Sequence, residues 1–241
     1  MTGFPMPVVS ANLRENHYEY AEGALARIAP TLPSRALFDI GPGDGRMRRL
    51  ARLGFTWTGF DREGWADVCA WDLAEPCPAG KNVAGAALLL EVVEHLPNPL
   101  VGLRHIADAL QDGGVLILTT PNARWSASRV TMLFRGVPGG FSARDLKENH
   151  HVFFPLPHVL ERFLAEAGFC IEEYVTLNGW TTPLRNDGTL FFPARFLLNL
   201  ILMVIERLDP TSRGMGIGLI ARKVPGGTTV LPYSVAPEGG G

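Results

Sequence analysis

The chain has 241 residues, 46% of them apolar, and its 22 Lys and Arg against 24 Asp and Glu leave a net charge of −2. That balance suits a globular protein with a substantial core and gives no chain-wide basic field that would call for nucleic acid. The three cysteines, Cys69, Cys77 and Cys170, form no C-x-x-C pair. Neither a disulfide framework nor a zinc site is indicated, and a reducing, cytoplasmic setting is expected.

The opening stretch "MTGFPMPVVSANLREN" lacks a basic region followed by an apolar core, so no signal peptide is expected. Residues 17–29, "HYEYAEGALARIA", read as a helix ahead of the first strand, "RALFDI". "RMRRLARL" reads as a helix with Met47, Leu50 and Leu53 on one side, and "FTWTGFD" as a β-branched and aromatic second strand. "ADVCAWD" is a weaker third strand and "GAALLLEVV" a fourth. Asn98 and Pro99 are an N-cap and first helical residue for "PLVGLRHIADAL", which Gly113 and Gly114 should end before the fifth strand, "VLILTTPN". Strands alternating with helices predict a Rossmann-like, mostly parallel sheet covered on both faces.

After Asn122 the rhythm breaks, and 123–150 read as a long, partly helical insertion. "LPHVLERFLAEAGF" restores a strong helix, with Leu156, Val159, Leu160, Phe163, Leu164 and Ala167 on one stripe. "CIEEYVTL" and "GIGLIARK" are the sixth and seventh strands. Between them, "FFPARFLLNLILMVIERL" is apolar almost all round, yet too short to span a bilayer. A buried core or dimer helix, a lid over an apolar ligand and an interfacial anchor all fit it. Residues 1–224 read as one domain, with 123–150 and 179–212 as insertions beside the ligand site. The Gly- and Pro-rich 225–241 is expected to be disordered.

The chemistry concentrates in "DIGPGDG", residues 39–45. Gly41, Gly43 and Gly45 directly after a strand let a ligand approach the backbone. The spacing departs from the G-x-G-x-x-G of dinucleotide sites, and Asp39 ahead of the loop would repel a phosphate and suit a cation. Asp61 ends the second strand, where an acid binds ribose hydroxyls in such sheets. Asp72 ends the third and can accept from an exocyclic amine. The ligand implied is cationic at one end and carries a ribose and an adenine.

These residues resemble the class I S-adenosylmethionine-dependent methyltransferases. "DIGPGDG" looks like their first motif, "GFD" the second, "AWDLAEP" the third and "LLLEVVEHLPNP" the fourth. "GGVLILTTPN" and "HHVFFPLPHVLERFLAEAGF" continue the likeness, which runs over 17–224 and is nearest the ubiquinone-pathway O-methyltransferases. The resemblance implies a seven-stranded sheet with an antiparallel last strand. It implies that Asp39, Gly41, Pro42, Gly43, Asp44 and Gly45 hold the methionine moiety of S-adenosyl-L-methionine and that Asp61, with Arg62 beside it, holds the ribose. Asp72 and Leu73 would flank the adenine, and Glu91 would lie near the methionine end. One departure stands out: only ten residues separate Asp61 from Asp72, so the helix usual there should shrink to a turn, with Trp65 or Trp71 free to cover the adenine.

If "EVVEHL" makes one helical turn, Glu91, Glu94 and His95 share a side, and with His150 or His151 they can ligate a divalent ion such as Mg2+. Some relatives use this pattern so; in others the same residues only lock the loop by hydrogen bonds. A histidine at His150 or His151 can instead take a proton from an acceptor hydroxyl, with His95 close by, while His105 reads as structural.

The function expected is a biosynthetic O-methylation of a small, hydrophobic acceptor. RNA 2′-O-methylation with a divalent metal, or a cofactor-binding partner protein without acceptor chemistry, are the alternatives. No nucleic-acid partner is expected; a homodimer and peripheral membrane contact through 190–208 are both open.

Overall fold

The computed structural model describes residues 10–12, 15–179 and 192–226. The sheet is built from β1 (Ser10–Asn12), β2 (Ala36–Ile40), β3 (Thr56–Asp61), β4 (Val68–Ala70), β5 (Ala84–Leu90), β6 (Leu110–Pro121), β7 (Phe169–Leu177) and β8 (Gly216–Lys223). The helices are α1 (His17–Ile28), α2 (Pro99–Ala109), α3 (Ser126–Arg135), α4 (Ala143–Asn149), α5 (Pro157–Glu166) and α6 (Phe192–Leu208). The strands lie in the order β1-β7-β8-β6-β5-β2-β3-β4. All pairings are parallel except those of β8, which runs against both β6 and β7. The seven expected strands are therefore present in a doubly covered sheet. An eighth, the three-residue β1, adds to the edge beside β7, and its sequence "SAN" carries no strand pattern.

Alternation along the strands divides the core. Leu37 of β2 joins Tyr20 and Leu25 of α1 and Met47 and Leu50 on one face of the sheet. Its neighbour Phe38 joins Leu103 and Ile106 of α2 and Leu160 and Leu164 of α5 on the other. Every residue of the central β5 is buried, as a strand covered on both faces requires. Asn16 starts α1 with a capping box: its Oδ1 accepts from the Tyr18 and Glu19 amides while Glu19 accepts from the Asn16 amide.

Three boundaries differ from the sequence reading. "RMRRLARL" forms a 3₁₀ helix over Arg46–Leu53, set between Gly45 and Gly54, both in left-handed backbone. α2 stops at Ala109, and β6 takes up the chain at Leu110, so Gly113 and Gly114 lie inside a strand. The insertion after Asn122 holds two helices, α3 and α4. The 225–241 tail lies outside the described residues from 227 on, as does 180–191 of the second insertion. Among the described residues no helix is long and apolar enough to cross a membrane.

Candidate active site

The parallel strands β2, β3, β4 and β5 end at one edge of the sheet, and a cleft of about 930 Å³ opens there. Gly41, Gly43, Asp61, Arg62, Asp72 and Leu73 line it. Candidate residues from three strand ends thus share one space, at the position where open α/β sheets bind ligands, while Asp39, Pro42, Asp44, Gly45 and Glu91 are not among its lining residues.

The glycine loop owes its composition first to its own backbone. Gly41, Gly43 and Gly45 have φ of +69°, +54° and +72°, a region that other residues enter at a cost. A Cβ at Gly41 would also stand 2.6 Å from Val92 Cγ2, whereas at Gly43 it would meet only the Tyr18 hydroxyl, at 3.9 Å. The loop is pinned by the Gly41 amide donating to the Phe60 carbonyl and the Gly45 amide to the buried Pro42. Asp44 is exposed, and its Oδ1 accepts from the Arg46 amide.

Asp39 is 2% exposed, and its Oδ2 accepts from the Trp57 indole at 2.9 Å. Burial pushes its carboxyl up to about 6; the Trp57 bond pulls it down and the nearby Asp44 charge raises it further. A buried carboxylate whose ionisation is penalised in this way is stabilised by a cation brought beside it. Asp61 is partly exposed in the cleft wall. Asp72 is exposed and closes its own turn, its Oδ1 accepting from the Ala74 amide.

The β3–β4 connection is a turn, as the ten-residue spacing demands: the Trp65 and Val68 backbones bond each other and leave no room for a helix. Both tryptophans line the cleft. Trp71 is buried, set edge-on to Phe60 and tied through Nε1 to the Glu75 carbonyl, while Trp65 is 44% exposed.

At the other side of the cleft, "EVVEHL" is not one α-helical turn. Glu91 sits at the end of β5 with φ +54°, and only Val93–His95 coil as a 3₁₀ turn. The donor atoms of Glu94, His95 and His151 lie within 4.8 Å of one another; Glu91 falls outside that set. Glu94 is 1% exposed and accepts from the Thr120 hydroxyl. Burial, then the Glu91 charge, pushes its carboxyl up to about 8, and burial likewise raises Glu91. Burial and then His151 hold the His95 imidazole below its ordinary value.

The two histidines after α4 divide. His150 caps α4 in left-handed backbone and lines the cleft beside His95. His151 packs against the rings of His95 and Phe141 at 5.0 and 5.2 Å. Its Nδ1 lies 2.6 Å from the Gly140 carbonyl, which only accepts, so in the neutral ring Nδ1 carries the proton and Nε2 the lone pair. His105 bonds the Leu73 carbonyl and is structural, as expected.

Mg2+ does not fit this cluster. Two imidazoles and one carboxylate form a set for a softer ion, since Mg2+ takes oxygen ligands in near-octahedral order. S-adenosylmethionine fits the opposite side. A glycine loop whose exposed Gly43 lines the cleft, a buried acid in want of a cation, and Asp61 at a strand end give it matching partners.

Sequence reasoning missed Trp57, Val92, Thr120 and Tyr18, whose hydroxyl reaches within 3.9 Å of a Cβ built at Gly43 and whose ring lies under Arg46. The signal for Trp57 was Gly59, two residues on: a Cβ there would meet the indole at 2.5 Å.

Comparison with known proteins agrees with this geometry. A methyltransferase domain model matches residues 13–174. Two ubiquinone biosynthesis O-methyltransferases are similar: that of Caulobacter sp. strain K31, 34% identical over 150 residues, and that of Caulobacter vibrioides, 32% identical over 171. The matches cover 54% and 60% of this chain and 57% and 65% of those relatives. A SAM-dependent methyltransferase structure from Archaeoglobus fulgidus superimposes with a TM-score of 0.58 at 18% identity, over 88% of this chain and 96% of that one. The chain solved with the Haloferax volcanii Trm112 methyltransferase activator gives 0.52 at 16%, over 86% and 90%. These structures share the fold. The chain belongs to the methyltransferase-domain family and shares the class I S-adenosylmethionine-dependent methyltransferase fold.

Proposed function

We propose that the protein methylates a hydroxyl of a small, hydrophobic acceptor. The observation that carries this reading is His151, whose Nδ1–H is held by Gly140, which leaves the lone pair of the neutral ring on Nε2, and whose ring packs against the cleft-lining His95. The two Caulobacter relatives named as O-methyltransferases support the same chemistry.

In this reading the cofactor, when bound, supplies an electrophilic methyl group. Asp39 balances its positive end, the glycine loop from Gly41 to Gly45, with Pro42 and Asp44, cradles its backbone-like moiety, and Asp61 binds its ribose. Asp72, Leu73 and Trp65 enclose its base, with Arg62 at the rim. Glu91, partly buried in left-handed backbone just after β5, lies toward the methionine end of the cofactor in this reading. His151 accepts the acceptor's hydroxyl proton at Nε2, while His95 and His150 orient the oxygen. Holding oxygen and methyl carbon in line is the larger contribution, since orientation alone supplies several kcal/mol.

The acceptor side is formed by the end of the first insertion, where Asn149, His150 and Val152 line the cleft. No described residue of α6 lines the cleft. The hydrophobic character of the acceptor rests instead on Leu96, Pro97 and Val152 beside His95. The test is incubation with methyl-labelled S-adenosylmethionine and a panel of hydrophobic phenols, read by mass spectrometry. Methyl ethers are the expected product; methylation only at nitrogen, carbon or RNA overturns the reading.

A further inference from the structure

Helices α3 and α6 carry apolar side chains that the sheet does not cover. On α6, Leu197, Leu200, Ile201 and Val204 recur at intervals of three or four and are between 44% and 58% exposed. On α3, Leu133 and Phe134 are 78% and 80% exposed. Exposed apolar residues are ordinary one at a time, but rows of them on two helices mark an interaction surface. The two helices are fastened together, with the Ser126 hydroxyl donating to Glu206 at 2.7 Å and Arg129 paired with Asp209.

Charge says what the surface meets. Residues 123–149 and 192–213 hold eight Lys and Arg against four Asp and Glu, in a chain whose net charge is −2. These segments thus carry a net charge of +4, while the rest of the chain carries −6. Arg135 follows Phe134 directly, and Arg207 precedes the 81% exposed Leu208. Arginine stems lie along apolar surface while their heads stay with polar groups, which places these charges at headgroup level when the rings are immersed.

We propose that α3 and α6 seat the protein on an anionic bilayer, with α6 lying in the plane of the interface. A second copy of the chain is disfavoured because a two-fold contact sets a patch against itself, here net positive against net positive. Among the described residues no helix, α6 included, is long and apolar enough to span a bilayer. The proposal does not depend on what the cleft methylates.

The full chain is spun with sucrose-loaded vesicles of phosphatidylcholine, alone or mixed with phosphatidylglycerol. It should pellet with the mixed vesicles, and much less with the neutral ones or in high salt. Phe134→Glu combined with Leu197→Glu and Ile201→Glu should lower the bound fraction by about tenfold or more, with melting temperature and S-adenosylmethionine affinity unchanged. Three results overturn the proposal: no binding to anionic vesicles, binding that survives the triple substitution, or a dimer in sedimentation equilibrium that the triple substitution splits. All of them leave cofactor binding, read separately by calorimetry, untouched.

Discussion

The Trp57 indole reaches across from β3 to donate to Asp39 on β2, and it passes over Gly59, the residue paired with Asp39 in the sheet. The carboxylate is held in place by a neutral donor, with no cation beside it among the described residues, and burial keeps its proton affinity high. Binding a cationic ligand favours the ionised form, so cofactor affinity should rise with pH and level off above about 7. Below about 6 it should fall by close to tenfold per pH unit. Calorimetry between about pH 5 and pH 8 reads this directly, and Asp39→Asn should lower the affinity and flatten the profile.

The same group predicts a trade of stability for binding. A carboxyl that holds its proton more tightly in the folded chain weakens the fold as pH rises through the interval from about 4 to about 6, and the whole cost is present above it. That cost is about 3 kcal/mol at most. Ligand-free Asp39→Asn should therefore melt higher than the parent chain at about pH 7.5 and equally at about pH 4. An Asp39→Asn chain that is less stable than the parent above the interval would show that the carboxylate already has a compensating partner.

The two other strand-end acids should separate. Asp61→Ala removes a charged hydrogen-bond acceptor from the cleft wall and should weaken S-adenosylmethionine by about 1.5–3 kcal/mol. Asp72→Ala should cost less, about 1 kcal/mol or below, because Asp72 is exposed and already accepts from Ala74. Equal losses would mean that the third strand end grips the ligand as firmly as the second.

What was legible in the sequence follows the range of the forces involved. Buried parallel strands write continuous apolar runs, so β2, β3, β5 and β6 and the acids that end or follow them could be read directly. The short third strand and the missing helix before it followed from counting residues. The pairing of β1 with β7 was not legible, because it rests on backbone bonds between segments far apart in the chain. Nor was the breakup of "EVVEHL": Glu91 is forced into left-handed backbone by the strand it ends, and only His151, from 56 residues beyond His95, completes the cluster. The apolar helix α6 had the composition of a core element. Its exposure is decided by the neighbours it lacks, which no local pattern records.

Gly41 and Gly43 share a backbone region but differ in surroundings, and substitution should show it. Gly43→Ala meets only an ordinary 3.9 Å contact with the Tyr18 hydroxyl and should cost about 1–2 kcal/mol of stability from its left-handed backbone. Gly41→Ala adds the 2.6 Å approach to Val92 Cγ2 and should cost clearly more. Val92→Ala placed beside it should recover the steric part and leave the backbone part. A double-mutant cycle from thermal melts checks this; strictly additive effects would show that loop and Val92 move apart freely.

The histidine cluster offers two chemistries, and Glu94 tells them apart. Its carboxyl is buried, bonded to Thr120 and pushed up to about 8, so it is mostly protonated at neutral pH in the metal-free protein. If His151 acts as the base, Glu94→Gln replaces one neutral group by another of the same shape, and kcat should change little. His151→Gln should then lower kcat by about two to four orders of magnitude while cofactor affinity stays within about threefold. Activity should also survive prolonged EDTA treatment. If instead Glu94, His95 and His151 hold a transition ion, Glu94→Gln removes one of three ligands, EDTA abolishes turnover, and manganese or zinc restores it in the parent chain but not in the Glu94→Gln variant. Measuring kcat for both variants with and without chelator therefore decides between proton removal by His151 and activation by a metal.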